Sequence, residues 1–351
     1  MTYLDKLGWR PFFQQQLGAE ELNACYPARV AQIHRNHCVI WSSRGEQRLD
    51  VGVFPDPGNL AVGDWLLMPG TGERPVRMLA RQTKLARKES GHGTGEQLIA
   101  ANVDTLFIVT SCNEDFNLAR LERYLALASG AGVTPVIVLT KADLVEDVTP
   151  FTTAARQLHP AVAIECVDAR IAAQLARLRP WCTTGKTVAL VGSSGVGKST
   201  LINNLAEARQ ATAAVRAGDD KGRHTTTSRS LHPLKDGGML VDTPGMREFQ
   251  LAAGAQNIED AFPEVSALLG RCKFNDCRHQ GEAGCAIQAA IASGALDARR
   301  WQSYQTLCGE QRRSRPLPAD STSDVRNAGP RPKPVRKGPR PPRQTDEDEH
   351  G

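Results

Sequence analysis

The chain contains no run of about 18 consecutive apolar residues, the length a helix needs to span a bilayer, which argues against a membrane-spanning helix. Its start, MTYLDKLGWRPFFQQQL, places Asp5, Lys6, Arg10 and three glutamines where a secretory signal needs an unbroken apolar stretch. A soluble, cytoplasmic protein is expected. Nine cysteines, an odd number in 351 residues, do not form a disulfide framework. No internal repeat recurs at a solenoid period. Charge of one sign scarcely prevails either: 43 Lys and Arg stand against 38 Asp and Glu, a net of +5.

With 40% hydrophobic and 23% charged residues the composition is that of a globular protein, and the length suggests two or three domains of roughly 100 to 200 residues each. The charge is unevenly placed. Residues 22–95 and 311–351 each carry a net of +4, whereas 1–21 carry −1 and 96–310 carry −2. Two basic segments flanking a slightly acidic middle suggest a nucleic-acid partner at the flanks and chemistry between them.

After an N-terminal segment, 1–27, short alternating runs over 28–92 (ARVAQIHR, HCVIWS, RLDVGVF, DWLLM, PVRMLA) predict a small antiparallel barrel or sandwich of about five strands. From about residue 100, continuous apolar runs (VDTLFIV, VTPVIVL, AVAIECV, TVALV, GGMLVDT) alternate with helical stretches, the pattern of a parallel α/β sheet covered on both faces. A mostly helical region, 253–310, follows. The segment 311–351 holds eight of the 21 prolines and almost no aliphatics, so it is expected to be a disordered tail.

Gly192, Ser193, Ser194, Gly195, Val196, Gly197, Lys198 and Ser199 match GxxxxGK(S/T) between the run TVALV and the helical stretch STLINNLAEAR, and with Thr200 they are the candidates for nucleotide binding. The glycines permit positive φ and close backbone approach, so successive N–H groups can surround phosphate oxygens. Lys198 would reach the β- and γ-phosphates, and Ser199 would ligate Mg²⁺. Asp242 to Gly245, DTPG, closes another apolar run 44 residues after Lys198. There Asp242 would hold Mg²⁺ through water, and the Gly245 N–H would meet a γ-phosphate.

Thr140, Lys141, Ala142 and Asp143, TKAD, end the run VTPVIVL. Asp143 can accept from the N1–H and N2 amine of guanine while Lys141 lies along the base; adenine would present it a bare acceptor. Asp168 and Ala169, after AVAIECV, are the candidates for the guanine carbonyl oxygen. The order is unusual, since in ordinary GTPases the phosphate loop comes first and the guanine motif last. Here TKAD precedes GKS and DTPG, which points to a circularly permuted GTPase. In KGRHTTTSR, 221–229, Thr225 or Thr226 would sense the γ-phosphate and ligate Mg²⁺. Met246 stands where many GTPases carry a water-orienting Gln, so His224 becomes the candidate for that role.

Cys272, Cys277, His279 and Cys285 fall within fourteen residues. Three thiolates and an imidazole satisfy tetrahedral Zn²⁺ with no open position, a structural site. The other six cysteines, Cys25, Cys38, Cys112, Cys166, Cys182 and Cys308, read as core residues.

With these motifs in place, the chain resembles the bacterial small-subunit-dependent GTPase A family, also called YjeQ/RsgA. The carriers are AANVDTLFIVTS, LERYLALA, VIVLTKADL, GSSGVGKSTLINNL, GRHTTT, LVDTPGMREF and the cysteine segment, spanning about residues 28–310. The resemblance implies an N-terminal OB-fold (28–92), a permuted P-loop GTPase domain (97–252) and a zinc-binding helical domain (253–310). It implies GTP hydrolysis stimulated by the 30S subunit, late 30S maturation through 16S rRNA contact, and a role in hydrolysis for His224. A monomer with one structural Zn and GTP-linked Mg is expected. Thr140 departs from the usual Asn, which removes an amide contact, and Val-Asp-Ala departs from a clear Ser-Ala. Arg29, Arg35, Arg44 and Arg48 are the barrel residues expected to meet phosphates. A P-loop kinase would leave TKAD unexplained, an RNA scaffold would not need Lys198, Ser199 and Asp242, and a zinc hydrolase would need an open metal position.

Overall fold

The computed structural model describes residues 2–72, 74–88, 96–159, 161–206, 229–242 and 255–314. These belong to one unit, Met1–Arg315, and the expected tail beyond 314 lies outside them. The alternating residues of the first third form an antiparallel sheet whose hub is β1 (Cys25–Ile33). One edge of β1 pairs with β2 (His37–Ser42), which pairs with β3 (Gly45–Asp50). The first half of its other edge pairs with β4 (Trp65–Pro69), and β4 pairs with β5 (Arg77–Met78). A register shift between Val30 and Gln32 interrupts the β1–β2 ladder, the kind of irregularity that bends a strand. Val30, Cys38, Ile40, Leu66 and Met68 share one buried core, so the alternating positions did mark the inner face. β6 (Lys84–Lys88) and β7 (Glu96–Ala101) make a separate hairpin sheet, across which the sequence boundary at 92–97 falls.

The continuous apolar runs become strands that are buried on both faces, except at the sheet edge, where all four residues of Ala163–Cys166 are half-buried. β8 (Thr105–Ser111), β9 (Thr134–Thr140), β10 (Ala163–Cys166), β11 (Thr187–Val191) and β13 (Met239–Asp242) run parallel in the order β10-β9-β8-β11-β13. β12 (Arg229–Pro233) lies antiparallel to β13. Within β8, Leu106 and Ile108 face one core and Phe107 and Val109 the other. A strand covered twice has no polar side to show, which is why these runs lack alternation. The first core includes Leu121, Leu125 and Ala128 of the helix Leu118–Ala131; the second includes Leu201 and Leu205 of the helix Lys198–Leu205. β12 also pairs with the end of β1, Gln32 opposite Ser230, and joins the two sheets into one.

Short helices α1 (Tyr3–Lys6), α2 (Pro11–Gln14) and α3 (Ala19–Ala24) precede β1. Sequence reading left them as a bare segment, yet Leu7 and Phe13 are each 1% exposed and share a core with Trp65 and Leu67. Trp9 stands edge-on to Trp65 at 4.8 Å, and Arg10 pairs with Asp104 at 2.7 Å. Arg29 requires a correction. Expected to meet phosphates, it is instead 1% exposed, and its guanidinium donates to the carbonyls of Leu7, Gly63 and Asn102. Three distant backbone segments each need a donor at that point, and Arg29 serves all of them.

The remaining helices are α4 (Leu118–Ala131), α5 (Thr149–Arg156), α6 (Ala172–Leu175), α7 (Lys198–Leu205), α8 (Ala255–Ala261), α9 (Pro263–Ser266), α10 (Ala286–Ala292) and α11 (Ala298–Ser314). Asn117 caps α4 by accepting from the Arg120 N–H, and Gly132 ends it in the left-handed conformation. α8 to α11 close around Phe262, Ile287, Trp301 and Tyr304, together with Ala126 of α4. No helix among the described residues is long and apolar enough to cross a membrane.

Candidate functional site

The motif residues gather where parallel strands end. TKAD starts on the last residue of β9, Asp168 and Ala169 follow β10, the glycine-rich loop follows β11, and Asp242 is the last residue of β13. A crevice outside the carboxyl ends of such strands is the usual ligand site of open α/β sheets.

The loop 192–197 depends on glycine. Gly192 has φ 145°, and a Cβ there would lie 2.2 Å from the carbonyl oxygen of Val109, closer than any side chain tolerates. Gly195 and Gly197 also have positive φ, and Gly197 caps the start of α7. Lys198 folds back over the loop, donating to the carbonyls of Gly192, at 2.7 Å, and Ser193. Ser194, Gly195, Gly197, Lys198, Ser199 and Thr200 line a cavity of about 200 Å³. The residues that line it bring backbone N–H groups, hydroxyls and an ammonium to a helix start, a chemistry suited to phosphate. A larger cavity, about 570 Å³, lies at the seam between Tyr3, Lys6, Trp41 and Lys235, and none of the motifs lines it.

Thr140, where many GTPases carry Asn, contacts the phosphate loop through its hydroxyl. Its hydroxyl lies 2.5 Å from the Val196 carbonyl and 3.2 Å from that of Thr110, tying the TKAD turn to the phosphate loop. Lys141 takes φ 56°, a left-handed turn directly before Ala142 and Asp143. The Asp168 N–H donates to Gln174 of α6 at 2.7 Å, and the Ala169 carbonyl accepts from Asn204 of α7 at 3.0 Å. The Ala169 N–H makes no hydrogen bond among the described residues. Arg170 lies between the two acids, 2.7 Å from Asp143 and 2.8 Å from Asp168. Its hydrogen bonds hold the Asp168 carboxyl down at about 2. Arg120 of α4 reaches the loop, donating to the Ser193 hydroxyl.

Sequence reading missed Arg120, Arg170, Gln174 and Asn204. Each belongs to a helix or loop whose approach only the sheet order discloses; Arg170, two positions after Asp168, was the one with a local signal. His224, Thr225, Thr226, Gly245 and Met246 lie outside the described residues.

The cysteine segment forms a second centre. One ligand atom from each of Cys272, Cys277, His279 and Cys285 lies within 4.8 Å of all the others. The three sulfurs stand 3.4, 3.6 and 3.5 Å from His279 Nδ1, and Cys272 and Cys285 stand 4.0 Å apart. Tetrahedral zinc with ordinary bond lengths would put S–N edges at about 3.6 Å and S–S edges at about 3.8 Å. The donor set therefore fits a metal ion. Glu282 shapes the turn by accepting from the N–H groups of Arg278 and Gln280, and Gln288 donates to the His279 carbonyl. His279 packs edge-on to Trp301 of α11 at 5.6 Å.

Residues 78–252 match the family model described as RsgA GTPase. A "Small ribosomal subunit biogenesis GTPase RsgA 2" of Vibrio parahaemolyticus is 49% identical over 309 residues, 88% of this chain and 86% of that protein. A "Small ribosomal subunit biogenesis GTPase RsgA" of Mesorhizobium japonicum is 48% identical over 318 residues, 90% of this chain and 91% of that one. Among solved structures, YjeQ from Thermotoga maritima superposes with a TM-score of 0.60 at 23% identity, over 82% of this chain and 99% of that one. YloQ, described as a circularly permuted GTPase, superposes with 0.59 at 21% identity, over 84% and 97%. These structural likenesses concern the fold.

Proposed function

Because the chain belongs to the RsgA GTPase family, we propose that it hydrolyses GTP to GDP and phosphate, is stimulated by the 30S subunit, and acts in late 30S maturation through 16S rRNA. The observation that carries this reading is the phosphate loop and the base-reading turn standing side by side at the ends of β11 and β9, tied by Thr140 and Val196.

In this reading the loop from Gly192 to Gly197 surrounds the phosphates with backbone N–H groups, while Lys198 leaves its carbonyl partners for the β- and γ-phosphates. Asp143 accepts from the guanine N1–H and N2 amine, and the Ala169 N–H meets the base carbonyl. Mg²⁺, held by Ser199 and, through water, by Asp242, would neutralise charge on the phosphate oxygens. Thr225 or Thr226 and the Gly245 N–H sense the γ-phosphate. Methionine at 246 cannot orient water, so His224 takes that part. Cys272, Cys277, His279 and Cys285 hold one structural zinc that does no chemistry.

Residues 28–92 act as an OB-fold that docks on rRNA, with 97–252 as the permuted GTPase domain and 253–310 as the zinc-binding domain. Of the four barrel arginines, Arg35, Arg44 and Arg48 are exposed, and the Arg44 guanidinium also lies 4.0 Å over the Tyr26 ring. The protein works as a cytoplasmic monomer, with 311–351 as its Pro/Arg-rich tail.

The test is phosphate release from GTP and from ATP, with and without 30S subunits. GTP-selective turnover raised by 30S is expected, with Lys198→Ala losing binding. His224→Ala should lose turnover while keeping GTP affinity. Unchanged turnover in His224→Ala would remove that assignment, and an absence of GTP turnover with 30S present would favour an RNA scaffold.

A further inference from the structure

The guanine-reading carboxylate does not stand alone. Asp168 stands in the neighbouring loop, and both carboxylates reach the same guanidinium. Their side chains are 32% exposed for Asp143 and 8% for Asp168. Two carboxylates at such a place repel each other and disfavour the fixed orientation that base reading needs. Arg170 answers that problem. Its Nε and Nη2 fork onto Asp168 at 2.9 and 2.8 Å, and its backbone N–H binds the same carboxylate at 2.9 Å. The other Nη2 hydrogen reaches Asp143 Oδ2 at 2.7 Å.

We infer that Arg170 is a positioning residue for base recognition: anchored on Asp168, its guanidinium orients Asp143 so that Asp143 can accept both guanine donors. This rests on the GTP reading above. The alternative is that Arg170 competes with the base for Asp143. A carboxylate offers about four acceptor positions and guanine needs two, so a single bond from Arg170 leaves room for the base. The anchoring is also one-sided. Three of the four hydrogen bonds of Arg170 go to Asp168, and Gln174 secures that loop through the Asp168 N–H. A bidentate fork of this kind fixes the guanidinium plane as a lysine cannot.

The experiment measures dissociation constants of GDP, IDP and ADP for the full chain. IDP lacks the N2 amine, so the GDP/IDP ratio reports whether Asp143 is oriented to receive that amine. Wild type should prefer GDP over both. Arg170→Ala should weaken GDP by about tenfold while changing IDP less, so the ratio contracts. Arg170→Lys should fall between, and adding Asp168→Ala to Arg170→Ala should recover part of the loss by removing the repelling charge. The Arg170 side chain is 67% exposed, so Arg170→Ala and Arg170→Lys are expected to keep the wild-type thermal midpoint. Equal or tighter GDP binding by Arg170→Ala, or an unchanged GDP/IDP ratio, overturns the inference and leaves the GTP reading standing. A wild type without guanine preference overturns both.

Discussion

Three carbonyls from distant parts of the chain, Leu7, Gly63 and Asn102, converge on the guanidinium of Arg29, which also lies 5.7 Å from the Trp65 ring centroid. Burial pulls its pKa down to about 10, still high enough to keep it charged at neutral pH. Arg29→Met would fill the volume and leave the Leu7 and Asn102 carbonyls without donors, each costing about 1–3 kcal/mol, whereas the Gly63 carbonyl keeps the Asn102 amide at 2.9 Å. The thermal midpoint should fall steeply, by an amount corresponding to about 3 kcal/mol or more. Arg35 is exposed on the turn after β1, so Arg35→Ala should leave the midpoint unchanged and weaken 30S binding with a shallower salt dependence. A stable Arg29→Met protein with impaired 30S binding would reverse these two roles. The pair also shows why a strand arginine misleads a reader of sequence. Local pattern records the positive charge, whereas the acceptors lie 22, 34 and 73 residues away.

Among the elements, those with a local cause were legible. Alternation marked β1 to β5, uninterrupted apolar runs marked the doubly covered strands, and GSSGVGKS announced its loop because only glycine tolerates the Gly192 geometry. The docking of α1 and α2 was not legible: four-residue helices carry no periodicity, and their buried Leu7 and Phe13 find partners only across the chain. The cysteine turn is the opposite case, readable from spacing because its ligands are local. Between Cys272 and Cys285 little apolar surface is available, and the turn includes left-handed residues at His279, Gly281 and Gly284. With the proposed zinc bound, metal bonds would hold such a turn in its fold. Chelation at neutral pH should release one zinc per chain, lower the thermal midpoint and raise amide exchange in α10 and α11, where Trp301 packs on His279. Cys277→Ser should reproduce this. Unchanged exchange after complete zinc loss would mean that the cluster around Phe262 and Ile287 holds these helices by itself.

At the scale of the whole molecule, the contacts that connect the α/β sheet to its neighbours include a strand ladder and a buried ion-pair cluster. The first is the β1–β12 ladder. The second is electrostatic: Glu122, fully buried on α4, accepts from Arg299 at 2.9 Å and Arg300 at 3.0 Å, both on α11. Arg300 in turn binds Glu264 of α9 at 2.5 Å and lies 4.3 Å over the Phe262 ring. The two arginines converge on one oxygen of Glu122, while its other oxygen, Oε2, has no hydrogen-bond partner. The permuted order gives this joint its interest. β13 ends at Asp242, and the chain continues from there to α8, so the region expected to sense the γ-phosphate is covalently continuous with the helices that Glu122 holds. Without Glu122, the buried Arg300 keeps only Glu264 as an acidic partner, and Arg299, 38% exposed, turns to solvent, so the loss is smaller than for a fully stranded buried charge. Glu122→Ala should still lower the thermal midpoint and raise amide exchange across α9 and α11. If the helical region relays the subunit's signal, 30S-stimulated GTP turnover should fall while basal turnover stays near wild type. Equal loss of basal and stimulated turnover would place the damage in the sheet, and stimulation unchanged despite loosened helices would show that the subunit acts on the nucleotide site without this joint.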